Sequence, residues 1–205
     1  MKTIKRICSG LFGGLVFLLM LSSATAAPAE QTAVFAGGCF WGVDAVFKHV
    51  SGVSEVVSGY AGGNASTAHY DQVSDGNTGH AEAVRVRFNP AQVSYLQLLQ
   101  VFFSVAHDPT ELNRQGPDSG SQYRSGIFYT SAGQQKIAQN YIQQLTAART
   151  FPSPIVTQVV PLQQFYPAED YHQNFLALHP NKPYIVMYDQ PKLEQLRKQF
   201  PALYQ

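Results

Sequence analysis

Cysteine is nearly missing from this chain, which has only Cys8 and Cys39 among 205 residues. A disulfide-built scaffold needs several, so the fold has to rest on a packed core. An excess of one charge is missing too, with 14 Lys and Arg against 13 Asp and Glu and no basic run. That balance argues against nucleic acid and against an anionic membrane surface as partners. No internal repeat occurs. A long hydrophobic run occurs once, from Leu11 to Leu21, and its eleven residues fall short of the roughly 20 a spanning helix needs. Lys2, Lys5 and Arg6 precede it and Ala24-Thr25-Ala26 follows, the three-part pattern of an export signal with a small-residue cleavage site. An uncleaved membrane anchor is the alternative; lipidation is discounted, since no cysteine closely follows the run in a small-residue context.

The expectation is a signal peptide over 1–26 and a single domain over 27–205, exported to a periplasm or secreted. Cys8 would leave with the signal, and the mature chain would carry 11 basic and 13 acidic residues, a net charge of about −2. Its one remaining thiol, Cys39, would then be a reactive group, an intermolecular link or a buried passenger.

The setting of Cys39 suits chemistry and a structural role alike. Thr32 to Ala36 predicts a short buried strand, Gly37-Gly38 breaks it, and Phe40 to Phe47 carries apolar residues at helical spacing. Cysteine there stands at a helix N-terminus, where free backbone N–H groups and the helix dipole favour thiolate. Flanking glycines permit close approach, and Phe40 and Trp41 offer an apolar wall. The competing reading is a structural cysteine, since free cysteine is among the most buried residue types.

Downstream, Val53 to Ser58 and Ala81 to Phe88 alternate as strands, and Ile127 to Tyr129 and Pro154 to Pro161 add two more. Ser94 caps a helix to Val105, Ser131 starts one to about Arg149, and shorter helices are expected over Ala168–Leu178 and Pro191–Phe200. Polar loops fill 64–80 and 107–122, and loops of that length in a compact domain are more often functional than idle. No glycine phosphate-binding fingerprint follows a strand. The class is α+β, a two-layer sandwich with a mixed β-sheet and helices packed over it.

Several stretches together resemble one family. They are Gly38-Cys39-Phe40-Trp41-Gly42, Ser58-Gly59-Tyr60-Ala61-Gly62-Gly63, Thr78-Gly79-His80-Ala81-Glu82-Ala83-Val84, the run from His107-Asp108-Pro109-Thr110 through Asn113-Arg114-Gln115-Gly116 to Asp118, Gln122-Tyr123-Arg124-Ser125, and Ala168-Glu169-Asp170-Tyr171-His172-Gln173. In order and spacing they resemble the A-type peptide methionine sulfoxide reductases over residues 32–188. The resemblance implies thiol-dependent reduction of methionine-S-sulfoxide, free or in protein. It implies Cys39 as nucleophile, Glu82 as the acid, Tyr70 and Tyr123 as hydroxyls for the sulfoxide oxygen, and Asp118 as an orienting carboxylate. Phe40 and Trp41 would hold the substrate methyl.

The residue types suit that chemistry, because a sulfoxide sulfur is attacked only as its oxygen is protonated or hydrogen-bonded. No metal or other cofactor is implied: His80, His107 and His172 lack zinc-motif spacing and read as loop-pinning side chains. Many relatives carry resolving cysteines in a C-terminal tail, and Lys192 to Gln205 has none. The oxidised Cys39 would then need an external thiol such as a thioredoxin-like protein, and the enzyme is expected to act as a monomer. From residues alone, a cysteine hydrolase using His80 or His172 and a thiol-bearing binding protein stay open.

Overall fold

The computed structural model describes residues 29–205; the expected signal segment, with Cys8 and the apolar run, lies outside them. Five strands of a six-stranded sheet follow from period-two or fully apolar runs. Strand β1 (Gln31–Gly37) is apolar on both faces because both are covered. Ala33 and Phe35 enter the larger core, while Val34 and Ala36 face a smaller one. Helix α1 (Phe40–Lys48) leads on to β2 (Val53–Ala61), and β3 (Ala81–Phe88) inserts antiparallel between β1 and β2. β1 and β2 are thus parallel to each other, joined by a crossover through α1. Strand β6 (Ser125–Tyr129) pairs antiparallel with β1 and parallel with β7 (Gln158–Pro161), and β8 (Phe165–Pro167) closes the other edge against β2. The sheet order is β7-β6-β1-β3-β2-β8.

Helices gather on one face, as the α+β expectation requires. Phe47 of α1 stacks on Phe35 at 5.0 Å between ring centroids, with Phe102 at 4.9 Å on the same ring. Helix α3 (Tyr95–Val101) starts at a full capping box, Ser94 and Gln97 each bonding the other's backbone N–H. Leu98 and Leu99 of α3 join Ala138 of α4 (Ala132–Ala147) and Leu196 of α6 (Gln190–Gln199) in the same core. On the other face the buried residues belong to strands, among them Ala61, Ala81, Ala83 and Phe128, with Leu162 packed at their margin.

The segments between these elements depart from expectation. The 64–80 loop contains a 3₁₀ turn (Ala65–Thr67) and a short helix α2 (Tyr70–Ser74). The 107–122 loop contains a small antiparallel ladder of β4 (Arg114–Gln115) and β5 (Asp118–Ser119), then a 3₁₀ turn (Ser121–Tyr123). The helix expected to reach Val105 is α-helical only to Val101. Its last turn widens to π geometry because the His107 ring, pinned at 2.9 Å to the Phe102 carbonyl, claims that oxygen. Pro154 to Thr157 is not strand: the Val156 N–H bonds the Pro109 carbonyl at 2.8 Å instead of a strand. The helix expected over Ala168–Leu178 is split into a 3₁₀ turn (Asp170–His172) and the single-turn α5 (Phe175–Leu178) by Asn174 at φ 55°. The chain ends against α1: the Ser51 N–H bonds the Leu203 carbonyl, and the Gln205 N–H bonds the His49 carbonyl.

Candidate active site

Cys39 is the N-cap of α1, as its flanking sequence predicts. Its side chain is buried and free. Gly38 makes the turn possible at φ 87°, and a Cβ there would strike the Gln115 side chain at 2.5 Å. The β4–β5 loop is therefore seated directly on the cysteine turn. Across from it, Glu82 on β3 accepts the Phe40 N–H at 3.0 Å, taking one of the unpaired donors of the helix start.

The remaining groups are carried in by the irregular segments. Glu169 links two of them: it accepts from the Tyr60 hydroxyl at 2.8 Å and from the Tyr70 N–H at 2.9 Å, fixing the start of α2. Arg124 donates to the carbonyls of Gly79, His80 and Ser121, and Gln122 to that of Ser74, so the turn bearing Tyr123 is tied to the loop after α2. Trp41 stacks on Phe175 with centroids 3.6 Å apart and planes 5° from parallel, and its indole N–H donates to His172 Nδ1 at 3.2 Å.

One cavity of about 170 Å³ results, lined by Cys39, Phe40, Trp41, Tyr70, Glu82, Asp118, Tyr123 and Tyr184. It gathers all seven residues singled out from the sequence. Tyr184 was missed; its hydroxyl donates to Asp118, and its ring meets Trp41 edge-on. The available signal was an aromatic residue in a polar, proline-flanked stretch, where a packed core does not account for it. Glu169 was seen within a motif but not as the anchor of Tyr70.

The electrostatics partly revise the sequence reading. Burial holds the Glu82 carboxyl up to about 8, against the pull of the Phe40 N–H and with help from Asp118, so it is protonated at neutral pH. The helix start does not win at Cys39. Burial pushes its thiol well above the ordinary range, and the Glu82 and Asp189 carboxyls add to this, while the Trp41 N–H and Lys192 only oppose it. Burial likewise raises the hydroxyls of Tyr70, Tyr123 and Tyr184, which stay protonated as donors.

The histidines are structural. His80 accepts from the Gly63 N–H and bonds the Asn64 carbonyl, and His107 spans the Phe102 carbonyl and Ser125 Oγ. Burial depresses His107 to about 4 and lowers His172, so both rings are neutral at pH 7. Among the described residues no group of three or more metal-ligating side chains assembles.

Fold and site together define a class: an α+β domain with a buried free cysteine and a protonated carboxyl in one aromatic-walled cavity, lined by no histidine among the described residues. Comparison with known proteins resolves the class to a family. A family model described as peptide methionine sulfoxide reductase matches residues 31–203. The chain belongs to that family, as an A-type oxidoreductase that reduces methionine sulfoxide. It is similar to "Peptide methionine sulfoxide reductase MsrA 2" of Mesorhizobium japonicum, 59% identical over 179 residues, 87% of this chain and 92% of that one. An MsrA of Thermus thermophilus is 49% identical over 174 residues, 85% and 97% of the two chains. Among solved structures, reduced Mxr1 from Saccharomyces cerevisiae matches with TM-score 0.70 and 33% identity over 75% of this chain and 87% of that one. Methionine sulfoxide reductase A of Corynebacterium diphtheriae matches with TM-score 0.66 and 34% identity over 76% and 77%.

Proposed function

We propose that Cys39 attacks the sulfur of a methionine-S-sulfoxide side chain while Glu82 protonates its oxygen and Tyr70 and Tyr123 donate hydrogen bonds to it. The oxygen passes to Cys39 Sγ and the thioether leaves. One thiol and one sulfoxide become one sulfenic acid and one methionine, with no net proton consumed. Phe40 and Trp41 flank the methyl group, and Asp118, held by the Tyr184 hydroxyl, orients the substrate end of the cavity. The observation carrying this reading is the meeting of Cys39 with a buried, protonated Glu82 in one small aromatic-walled cavity.

Regeneration falls to an external, thioredoxin-like thiol, since the mature chain has one cysteine and no bound cofactor is invoked. Yeast Mxr1 has itself been solved in complex with Trx2. The proposed working form is a monomer, a reading supported by a cavity lined within one chain. The basic, apolar and small-residue pattern of residues 1–26 supports export to a periplasm or beyond.

The test is stoichiometric. Mature enzyme with excess methionine-S-sulfoxide and no reductant is expected to form about one methionine per chain and stop, with Cys39 trapped by dimedone. Continued turnover without thiol, or arrest with an unmodified Cys39, would overturn the reading.

A further inference from the structure

A second cavity of about 140 Å³ also opens onto Cys39. It shares Cys39, Asp118 and Tyr184 with the first, so the Asp118–Tyr184 pair is the wall between them. Its other walls are Gln115, Gly116, Pro117, Tyr188 and Lys192. None of Glu82, Tyr70 and Tyr123 lines it.

Lys192 is the cation of this cavity, with about a fifth of its side chain exposed. Asp189 holds it, Oδ1 lying 3.3 Å from the ammonium. Asp189 itself is fully buried, and its Oδ2 has no hydrogen-bond partner. The pair is pressed onto the cysteine helix at Gly42, where a Cβ would lie 2.1 Å from Asp189 Oδ1 and 2.7 Å from Lys192 Nζ. A buried carboxylate with a spare oxygen is costly, and the function described so far leaves both residues unexplained.

We propose that this second cavity is the port through which the reducing thiolate reaches Cys39, with Lys192 as its recognising charge. The inference rests on the proposed Cys39 sulfenic acid. Thiolate attack on that sulfur is an in-line displacement, so the attacking sulfur enters away from the departing oxygen. The oxygen lies where Glu82, Tyr70 and Tyr123 hold it, in the first cavity. The second cavity borders the same residue, Cys39, on a side free of those groups.

The incoming thiolate forms an S–S bond to Cys39 as the S–O bond breaks, and the hydroxide takes a proton from Glu82 to leave as water. A second thiolate then attacks the donor sulfur of this mixed disulfide. It releases Cys39 as thiolate beside Lys192, the two donor sulfurs depart as a disulfide, and solvent returns one proton to Cys39 and one to Glu82. The cavity has room for a cysteine side chain or a small thiol.

The experiment starts from sulfenic enzyme made with stoichiometric sulfoxide. Its reduction is followed by loss of dimedone labelling, with mercaptoacetate, 2-mercaptoethanol and cysteamine compared at equal thiolate concentration. The anionic thiol is expected to react fastest and the cationic one slowest, about tenfold apart, with the gap closing in high salt. Lys192→Met is expected to bring the three within about twofold, and Lys192→Arg to restore the order. Saturating N-acetylmethionine, offered as the reaction product to the first cavity, is expected to leave the rates unchanged. Equal rates in the wild type, an order that survives Lys192→Met, or competition by N-acetylmethionine would overturn the port. Absence of any sulfenic acid at the outset would instead overturn the function on which it rests. Thioredoxin as donor separates the sources: slowing by Lys192→Met there assigns the port to protein cysteines too, and slowing confined to the small thiols restricts it to them.

Discussion

Glu82 is a carboxylic acid at neutral pH because the sheet and α1 bury it, and that choice has a stability cost of known sign. Between about 4.5 and about 8 the unfolded chain releases a proton that the folded chain keeps. Stability therefore falls as pH rises through that window, with a slope of up to about 1.4 kcal/mol per pH unit from this group. Glu82→Gln removes the slope: thermal unfolding is expected to show the variant gaining on wild type from pH 5 to pH 8. In the proposed mechanism the same titration governs rate. Single-turnover methionine formation is expected to fall in the wild type above pH 8. At neutral pH the variant is expected to be about 10²–10⁴ slower, with that limb gone.

At the scale of elements, the turn before α1 couples two segments distant in sequence. Gly38→Ala strains a φ of 87° and drives a methyl into Gln115. Urea unfolding is expected to show a loss of about 1–3 kcal/mol. Single-turnover rate is expected to fall as well, because the β4–β5 loop carrying Asp118 is pushed off the cysteine. Local pattern made β1, α1, β3 and α4 legible, since each is long enough for its periodicity to outweigh its neighbours. It failed for α2, β4, β5 and β8, which span two to five residues and exist through distant partners, and it ran α5 together with the turn before it. Tyr70 starts a helix because Glu169 captures its N–H, a contact across 99 positions. The site residues Tyr70, Asp118 and Tyr123 sit on just such segments, so the family resemblance found them where periodicity did not. Tyr184, outside the matched motifs, escaped both. The thiolate expected from helix position was outweighed by burial, which residue spacing does not reveal.

Across the whole molecule, α1 has its cysteine at one end and the chain terminus fastened at the other. The Gln205 side chain bonds the Lys48 carbonyl at 3.1 Å, and Val50 bridges to Tyr204. Nine helical residues separate the two ends by roughly 13 Å, beyond the roughly 7 Å between Cα atoms that a disulfide tolerates. Gln205→Cys is accordingly expected to leave the thiol-free yield at about one methionine per chain, with no internal disulfide by mass spectrometry. A tail anchored this way is no swinging arm. Under the proposed mechanism, repair by this chain is then metered from outside: the oxidised form accumulates wherever donors are scarce, and the pace of repair reads out the reducing power of the surroundings.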